Sequence, residues 1–120
     1  MSVIAIVDDD DAVRLAIQSL LRSLGHHVST FASAEEFLLS KQLPETTCLI
    51  TDVQMPGMSG IELQALLKSK GYRIPVIVIT AFPDERVRER AMQLGAVSFL
   101  TKPFADAALT ESLARAHRSG

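Results

Sequence analysis

The sequence predicts an α/β protein in which helices cover both faces of a doubly wound parallel sheet. Five short apolar segments alternate with segments whose apolar residues recur at helical spacing. Four of the five apolar segments are nearly continuous in valine, isoleucine, leucine and phenylalanine, which is typical of strands buried on both faces. The predicted order is βαβαβαβαβα with no linker, repeat or low-complexity stretch inside it, and right-handed crossovers then produce a (βα)5 sandwich.

The apolar segments are the five predicted strands. The second of them alternates apolar and polar residues from His27 to Phe31, and this alternation predicts a strand at the edge of the sheet. The other four lack such alternation and are predicted to be buried on both faces. The predicted strands cover residues 3–7, 27–31, 48–51, 76–80 and 97–100.

Helix boundaries follow from capping and breaking residues between the strands. The first helix carries one apolar stripe and is predicted to end at Gly25, since glycine is common just beyond a helix C-terminus. Ser33 with Glu36, and Ser59 with Glu62, have the spacing of capping boxes that open the second and third helices. The fourth helix is predicted to have Pro83 in its first turn and to end at Gly95. The fifth is predicted to begin at about Asp106.

Length, charge and cysteine content limit the functions open to this chain. Residues 1–120 fit one domain, and 48% apolar content supplies a core without disulfides or structural zinc. A formal charge of −2 argues against a domain built mainly to bind nucleic acid. The single cysteine, Cys48, excludes an internal disulfide and a four-cysteine zinc site, and we expect it in the core.

The N-terminus and the lengths of the apolar runs indicate the cellular location of the protein. The N-terminus lacks the features of a secretory signal, and no apolar run approaches the roughly 18 residues that a membrane-spanning helix needs. We therefore expect a cytoplasmic protein. The polar tail at residues 117–120 is interpreted as the start of a linker.

Polar residues collect where the predicted strands end. Asp8 and Asp9 follow the first strand, and Asp52 follows the third. Thr80 closes the fourth strand, and Lys102 lies just after the fifth. Because ligands of open α/β sheets bind outside the carboxyl ends of the strands, we expect these residues to share one site.

Three carboxylates in one place need compensation. If Asp8, Asp9 and Asp52 converge to about 4 Å, each pair repels by roughly 4 kcal/mol at an effective dielectric constant near 20, against a total stability of about 5–15 kcal/mol. Either one acid keeps a proton or cations occupy the site, and oxygen ligands of this kind suit Mg2+. A metal ion and the ammonium of Lys102 around a carboxylate are also what phosphoryl transfer to that carboxylate requires. The pattern therefore predicts an aspartyl-phosphate site.

Several stretches of the chain together resemble the receiver domain of bacterial two-component response regulators. The loop Asp-x-x-Met-Pro-x-Met-x-Gly combines with an acid pair and Lys-Pro-Phe, and the match covers essentially the whole chain in order and spacing. Details resemble the FixJ/NarL branch, whose members often carry a helix-turn-helix DNA-binding domain after the receiver. The resemblance implies the flavodoxin-like and CheY-like fold with strand order 2-1-3-4-5, and a cis peptide before Pro103. The matching stretches are residues 6–9, Arg14, and residues 52–60, 78–81 and 102–104.

The resemblance assigns a role to each residue of the predicted site. Asp52 matches the phosphoacceptor, and Lys102 matches the lysine that pairs with the phosphoryl oxygens. Asp8 and Asp9 match the acid pair that binds Mg2+, with Asp9 binding directly and Asp8 through water. Asp52 and the backbone carbonyl of Gln54 are the further metal ligands that the resemblance implies.

Other positions match the parts of a receiver that respond to phosphorylation. Thr80 matches the switch hydroxyl that moves to bond the phosphoryl group, and Phe99 stands at the switch aromatic position, where many receivers have tyrosine. Phe82 flanks the acceptor and either shields the acyl phosphate from water or turns away. Asp10 and Asp11, by contrast, are expected to cap the first helix or to interact with its dipole.

The function that the resemblance implies is a phosphorylation switch. A sensor histidine kinase donates the phosphoryl group, and the domain is not an enzyme beyond catalysing its own phosphorylation and dephosphorylation. The fourth helix and fifth strand would form the output and homodimer face, DNA would be reached only through a separate output domain, and no membrane partner is expected. Arg14, Gln18 and Arg22 on the first helix are candidates for docking the kinase.

Two other functions remain open from the sequence. A haloacid-dehalogenase-type phosphatase also forms an aspartyl phosphate, but it carries a second acid two residues after the nucleophile, where this chain has Gln54. A receiver-like module that binds partners without phosphorylation typically lacks an acid, the lysine or the switch hydroxyl, and none is missing here. A P-loop nucleotide site is excluded because neither GxxxxGKS nor GxxxxGKT occurs.

Overall fold

The computed structural model describes residues 3–119, and the side chains of residues 3–118. Its strands are β1 (Val3–Val7), β2 (Val28–Phe31), β3 (Thr46–Asp52), β4 (Val76–Thr80) and β5 (Ser98–Thr101). Its helices are α1 (Asp11–Ser23), α2 (Ala34–Leu38), α3 (Gly60–Ser69), α4 (Glu85–Gln93) and α5 (Asp106–Ser119), with a 3-10 turn at Leu43–Glu45. The strands form one parallel sheet in the order β2-β1-β3-β4-β5. This confirms the predicted doubly wound (βα)5 fold and its strand order.

Alternate residues of the central strands feed two separate apolar layers. Side chains on one face of the sheet, such as Ala5 and Val78, pack with α2, α3 and α4. Side chains on the other face, such as Ile6 and Ile77, pack with α1 and α5. Cys48 is buried in this second layer, as predicted, and desolvation raises the pKa of its thiol to about 12. The thiol therefore stays protonated at neutral pH.

Three helix starts show how local hydrogen bonds set the boundaries. The Ser59–Glu62 pair forms the complete capping box predicted for α3. At α2, Ser33 caps the helix as expected, but the Glu36 carboxylate accepts from the backbone N–H of Ala32 instead of closing the box. The fourth helix begins later than predicted, because the side chain of Asp84 accepts from the N–H of Arg86 and makes Asp84 the N-cap. Pro83 consequently lies outside the helix.

The last helix continues further than the sequence predicts. α5 extends to Ser119, so residues 117–119 are helical where a linker was predicted. Gly120, the final residue of that predicted linker, lies outside the described residues. Among residues 3–119, no helix combines the length and the apolar character needed to span a membrane.

Candidate functional site

The carboxyl ends of three strands bring the predicted site together. Val7 of β1 is paired with Thr51 of β3, so Asp8 and Asp52 are the residues that follow a matched pair on neighbouring strands. Asp8 has no exposed surface and Asp52 is 7% exposed, whereas Asp9 is exposed. On the far side of β4, Lys102 follows β5 directly, and its N–H donates to the carbonyl of Thr80 at 2.8 Å. The parallel register therefore places these side chains at one edge.

The three acids form a candidate metal centre. One carboxylate oxygen from each of Asp8, Asp9 and Asp52 lies within 4.8 Å of the other two. Two oxygens that share one Mg2+ lie at most about 4.2 Å apart, since each is about 2.1 Å from the ion, so the cluster is close to the spacing that a single ion needs. Three carboxylates and no nitrogen or sulfur ligand form a donor set for a hard divalent cation. The residues present therefore fit Mg2+.

A lysine compensates part of the negative charge. Lys102 Nζ donates to Asp8 Oδ2 at 2.7 Å and to Asp52 Oδ2 at 3.1 Å. The backbone at Lys102–Pro103 is cis, as the resemblance implied. A second positive group supports Asp8 from the other side, since the Arg14 guanidinium donates to the Asp8 backbone carbonyl at 2.5 Å and also pairs with Asp11.

The environment of Asp52 disfavours its ionised form. Burial raises the pKa of the Asp52 carboxyl and the charge of Asp8 raises it further, while Lys102 opposes both. Burial lowers the pKa of the Lys102 ammonium, but its hydrogen bonds to Asp8 and Asp52 and their negative charges outweigh burial and raise that pKa above its usual value. One ammonium thus leaves the three acids undercompensated, and a cation would relieve the remaining repulsion.

This imbalance predicts that Asp52→Asn stabilises the metal-free protein. At neutral pH we expect a melting temperature higher by a few degrees, because the neutral amide avoids the cost of a buried carboxylate beside Asp8. Since the pKa of Asp52 is raised in the folded state, folding binds a proton between the unfolded and folded pKa values, and wild-type stability falls as pH rises through that window. The advantage of the variant should therefore shrink as pH falls through that window and vanish below the unfolded pKa.

Thermal unfolding in a chelator and in excess Mg2+ measures both effects. Mg2+ should stabilise the wild type more than the variant and reduce or reverse the difference. Asp9→Asn is expected to shift metal-free stability in the same direction. Lower melting temperatures for both variants without metal would contradict the repulsion.

The segment after the predicted acceptor Asp52, which we call the acceptor loop (residues 53–59), is anchored at both ends. At its start, the N–H of Val53 donates to the carbonyl of Ile79 at 3.1 Å. At its end, the N–H of Gly60 donates to the carbonyl of Val53 at 2.9 Å. Between them, the N–H of Gln54 points at Asp52 Oδ1 over a long 3.4 Å. The loop therefore closes on itself beside Asp52.

The residues predicted to act as a switch lie on the neighbouring strands β4 and β5. Thr80 is 1% exposed, and its hydroxyl oxygen accepts from the N–H of Phe82 at 3.1 Å, which leaves the hydroxyl hydrogen uninvolved in that bond. Phe99 is partly buried and packs against the layer beneath α4. Phe82 is 70% exposed, so in this state its ring is turned toward solvent.

Two residues of the site were not predicted from the sequence. The sequence offers Arg14 as a candidate for docking the kinase but gives it no role in the site, where its guanidinium is largely covered and donates to the backbone carbonyl of Asp8. Its spacing of three residues from Asp11 was the available signal. Glu35, on α2, accepts a hydrogen bond from the N–H of Met58 in the acceptor loop at 3.0 Å. No local pattern connects residues that far apart in the chain.

Fold and site together define the class of protein. It is a doubly wound α/β domain that gathers three carboxylates and a lysine at the carboxyl ends of its parallel strands. The chain belongs to the response regulator receiver domain family of two-component systems, whose family model matches residues 4–114.

Individual relatives agree with this assignment. The chain is 48% identical to response regulator protein TodT of Pseudomonas putida over 103 residues. The matched segment makes up 86% of the chain and 45% of TodT. It is 45% identical to transcriptional regulatory protein FixJ of Azorhizobium caulinodans over 104 residues. The matched segment makes up 87% of the chain and 49% of FixJ. The crystal structure of FixJ-N superposes with a TM-score of 0.87 at 36% identity, over 98% of this chain and 94% of that one. The chain thus spans about half the length of the two named proteins.

Proposed function

We propose that this domain is a phosphorylation switch whose acceptor is Asp52. The observation that carries the proposal is the Asp52 carboxylate itself, which lies 3.1 Å from the Lys102 ammonium and has an oxygen within 4.8 Å of carboxylate oxygens of Asp8 and Asp9. The donor is a sensor histidine kinase, and the domain catalyses no reaction beyond its own phosphorylation and dephosphorylation. Homology to TodT and FixJ supports the assignment to phosphorylation-dependent signalling.

The residues divide the work of phosphoryl transfer. An Asp52 carboxylate oxygen attacks phosphorus, the bond from phosphorus to the donor breaks, and its electron pair leaves with the donor atom. Lys102, already oriented by two carboxylates, is within reach of the phosphoryl oxygens and neutralises part of their charge. Asp8, Asp9, Asp52 and the Gln54 carbonyl would hold Mg2+, which when bound neutralises charge on the transferring oxygens.

Thr80 and Phe99 then transmit the change to the face made by α4 and β5. A shift from 1:99 to 99:1 between two states needs about 5.5 kcal/mol of differential interaction. Charge-assisted hydrogen bonds from the phosphoryl group to Thr80 and Lys102, at roughly 1.5–3 kcal/mol each, supply most of it. A cavity of about 270 Å3 between Phe99 and the start of α4 offers the ring room to move.

We propose that the response to phosphorylation is carried by a longer protein that contains this domain. Because the chain spans about half of TodT and FixJ, we propose that residues 1–120 are the receiver of a transcriptional response regulator and that DNA is bound by a separate output domain. Phosphorylation would favour a homodimer through the α4 and β5 face.

Acceptor identity is tested by the mass of the intact protein after incubation with acetyl phosphate and Mg2+. We expect one added phosphoryl group on the wild type and none on Asp52→Asn. Asp106→Asn, which removes an exposed acid from the first turn of α5, is the charge-matched control and should be modified like the wild type. An undiminished adduct on Asp52→Asn would rule out this acceptor.

A further inference from the structure

The tip of the acceptor loop is fastened by a residue outside the acidic cluster. Glu35 Oε2 accepts from the N–H of Met58 at 3.0 Å, across 23 positions of sequence. The same oxygen lies against the neighbouring Gly57, where a Cβ would come within 2.6 Å of it and where φ is +79°. α2 and the loop therefore meet through one carboxylate and a residue without a side chain.

This contact holds the part of the loop that its two ends do not. Val53 and Gly60 secure the ends through backbone hydrogen bonds, and Ser59 is fixed by its capping box. Among the hydrogen bonds of the described residues, the bond to Glu35 is the one that joins residues 55–58 to another element. Gln54, which precedes this tip, has only the long 3.4 Å contact to Asp52.

We propose that Glu35 is a positioning residue for phosphoryl transfer: by holding Met58 it keeps the Gln54 carbonyl and the Asp52 carboxylate in the orientation that a shared cation needs. The inference rests on the proposed function, because it concerns the efficiency of the same site. Groups that orient metal ligands typically change metal affinity by about 10–100-fold when removed. Glu35 touches no ligand directly, so its effect belongs at the lower end of that range.

The ionisation of Glu35 agrees with this role. The hydrogen bond from Met58 lowers the pKa of the Glu35 carboxyl, so the carboxylate form is favoured and the bond to the backbone N–H is charge-assisted.

Three substitutions separate the effect of the length of the Glu35 side chain from the effect of its charge. Glu35→Gln keeps an oxygen at the same distance and removes the charge, whereas Glu35→Asp keeps the charge and is one methylene too short to reach Met58. Glu35→Ala removes both. Glu36→Ala is the matched control, since Glu36 is the next residue on α2 and its carboxylate accepts from the backbone N–H of Ala32, just before the helix.

Mg2+ affinity by calorimetry and the rate of phosphorylation by acetyl phosphate are the readouts. We expect Glu35→Ala and Glu35→Asp to weaken Mg2+ binding and to slow phosphorylation by about tenfold, with Glu35→Gln and Glu36→Ala within about twofold of the wild type. A purely structural role would instead lower the melting temperature of the metal-free protein without changing the Mg2+ affinity of the folded protein.

Each result decides the question. Wild-type behaviour of Glu35→Asp together with loss in Glu35→Gln would show that charge matters and not reach, and would overturn the proposal. Equal affinity and rate in all variants would also overturn it. If Glu35→Ala fails to fold, the contrast between the Asp and Gln variants still decides. A wild type that accepts no phosphoryl group would refute the proposed function instead, while the Mg2+ titration would still test Glu35.

Discussion

Replacing Gly60 with alanine is expected to destabilise the protein by at least about 3 kcal/mol, the upper end of the usual cost of overpacking. A Cβ at this position would lie 2.0 Å from the backbone carbonyl oxygen of Asp52 and 3.1 Å from the side chain of Thr51. Both residues belong to the buried strand β3 and cannot move aside without breaking its pairing. The gain of about 1 kcal/mol in helix propensity from alanine is too small to offset this clash.

Urea unfolding followed by circular dichroism measures the effect. Gly71→Ala is the matched control, because a Cβ there meets nothing within 4 Å and only the positive φ of +83° opposes it. The control should cost about 1–2 kcal/mol. If Gly60→Ala is no worse than Gly71→Ala, the approach of α3 to Asp52 is not a rigid constraint.

Lys102→Met is expected to destabilise the metal-free protein by about 3 kcal/mol at neutral pH. Removing one partner of a buried ion pair leaves the other charge uncompensated, at a typical cost of about 3–5 kcal/mol, and here two carboxylates lose their shared partner. Because methionine keeps much of the apolar stem of lysine, the measured loss of stability reports the removal of the ammonium.

The pH dependence of this loss has a definite sign. Because the pKa of Lys102 is raised in the folded state, its contribution is present below the usual lysine pKa and is lost as pH rises through the folded value. In the variant the acids bind protons more readily, so the difference from the wild type should shrink as pH falls. Saturating Mg2+ should also shrink it.

Urea titrations with and without Mg2+, at neutral and at mildly acidic pH, measure these changes. Lys70→Met, at an exposed position, is the control and should have little effect. A difference that grows on acidification would contradict the undercompensated cluster.

The site acids were predictable because the rule behind them is geometric. In a parallel sheet the residues after each strand meet at one edge, so Asp8, Asp52 and Lys102 could be grouped from their positions relative to apolar runs. Periodicity alone did not supply the strand order, since an alternation of strands and helices is compatible with several orders. The order came from the resemblance to receiver domains.

The rest depends on contacts between distant segments. The bond from Glu35 to Met58 joins residues with no shared motif, and the contact of Gly60 with Asp52 exists only once α3 lies across β3. The boundary error at Pro83 has a local cause, because either Pro83 or Asp84 could open α4 and the side-chain bond of Asp84 decides. The sequence therefore predicted which residues lie together at the site. It predicted less well the contacts between distant segments that hold those residues in place.

The three acids of the candidate metal centre lie at unequal depths below the surface. Asp9 faces solvent, while Asp8 and Asp52 lie behind it against the lysine. A cation held by these three acids would have Asp9 as its ligand nearest solvent and Asp8 and Asp52 as its buried ligands. The exposed carboxylate would then be the ligand that meets water, whereas the two buried carboxylates and the lysine would be shielded from it.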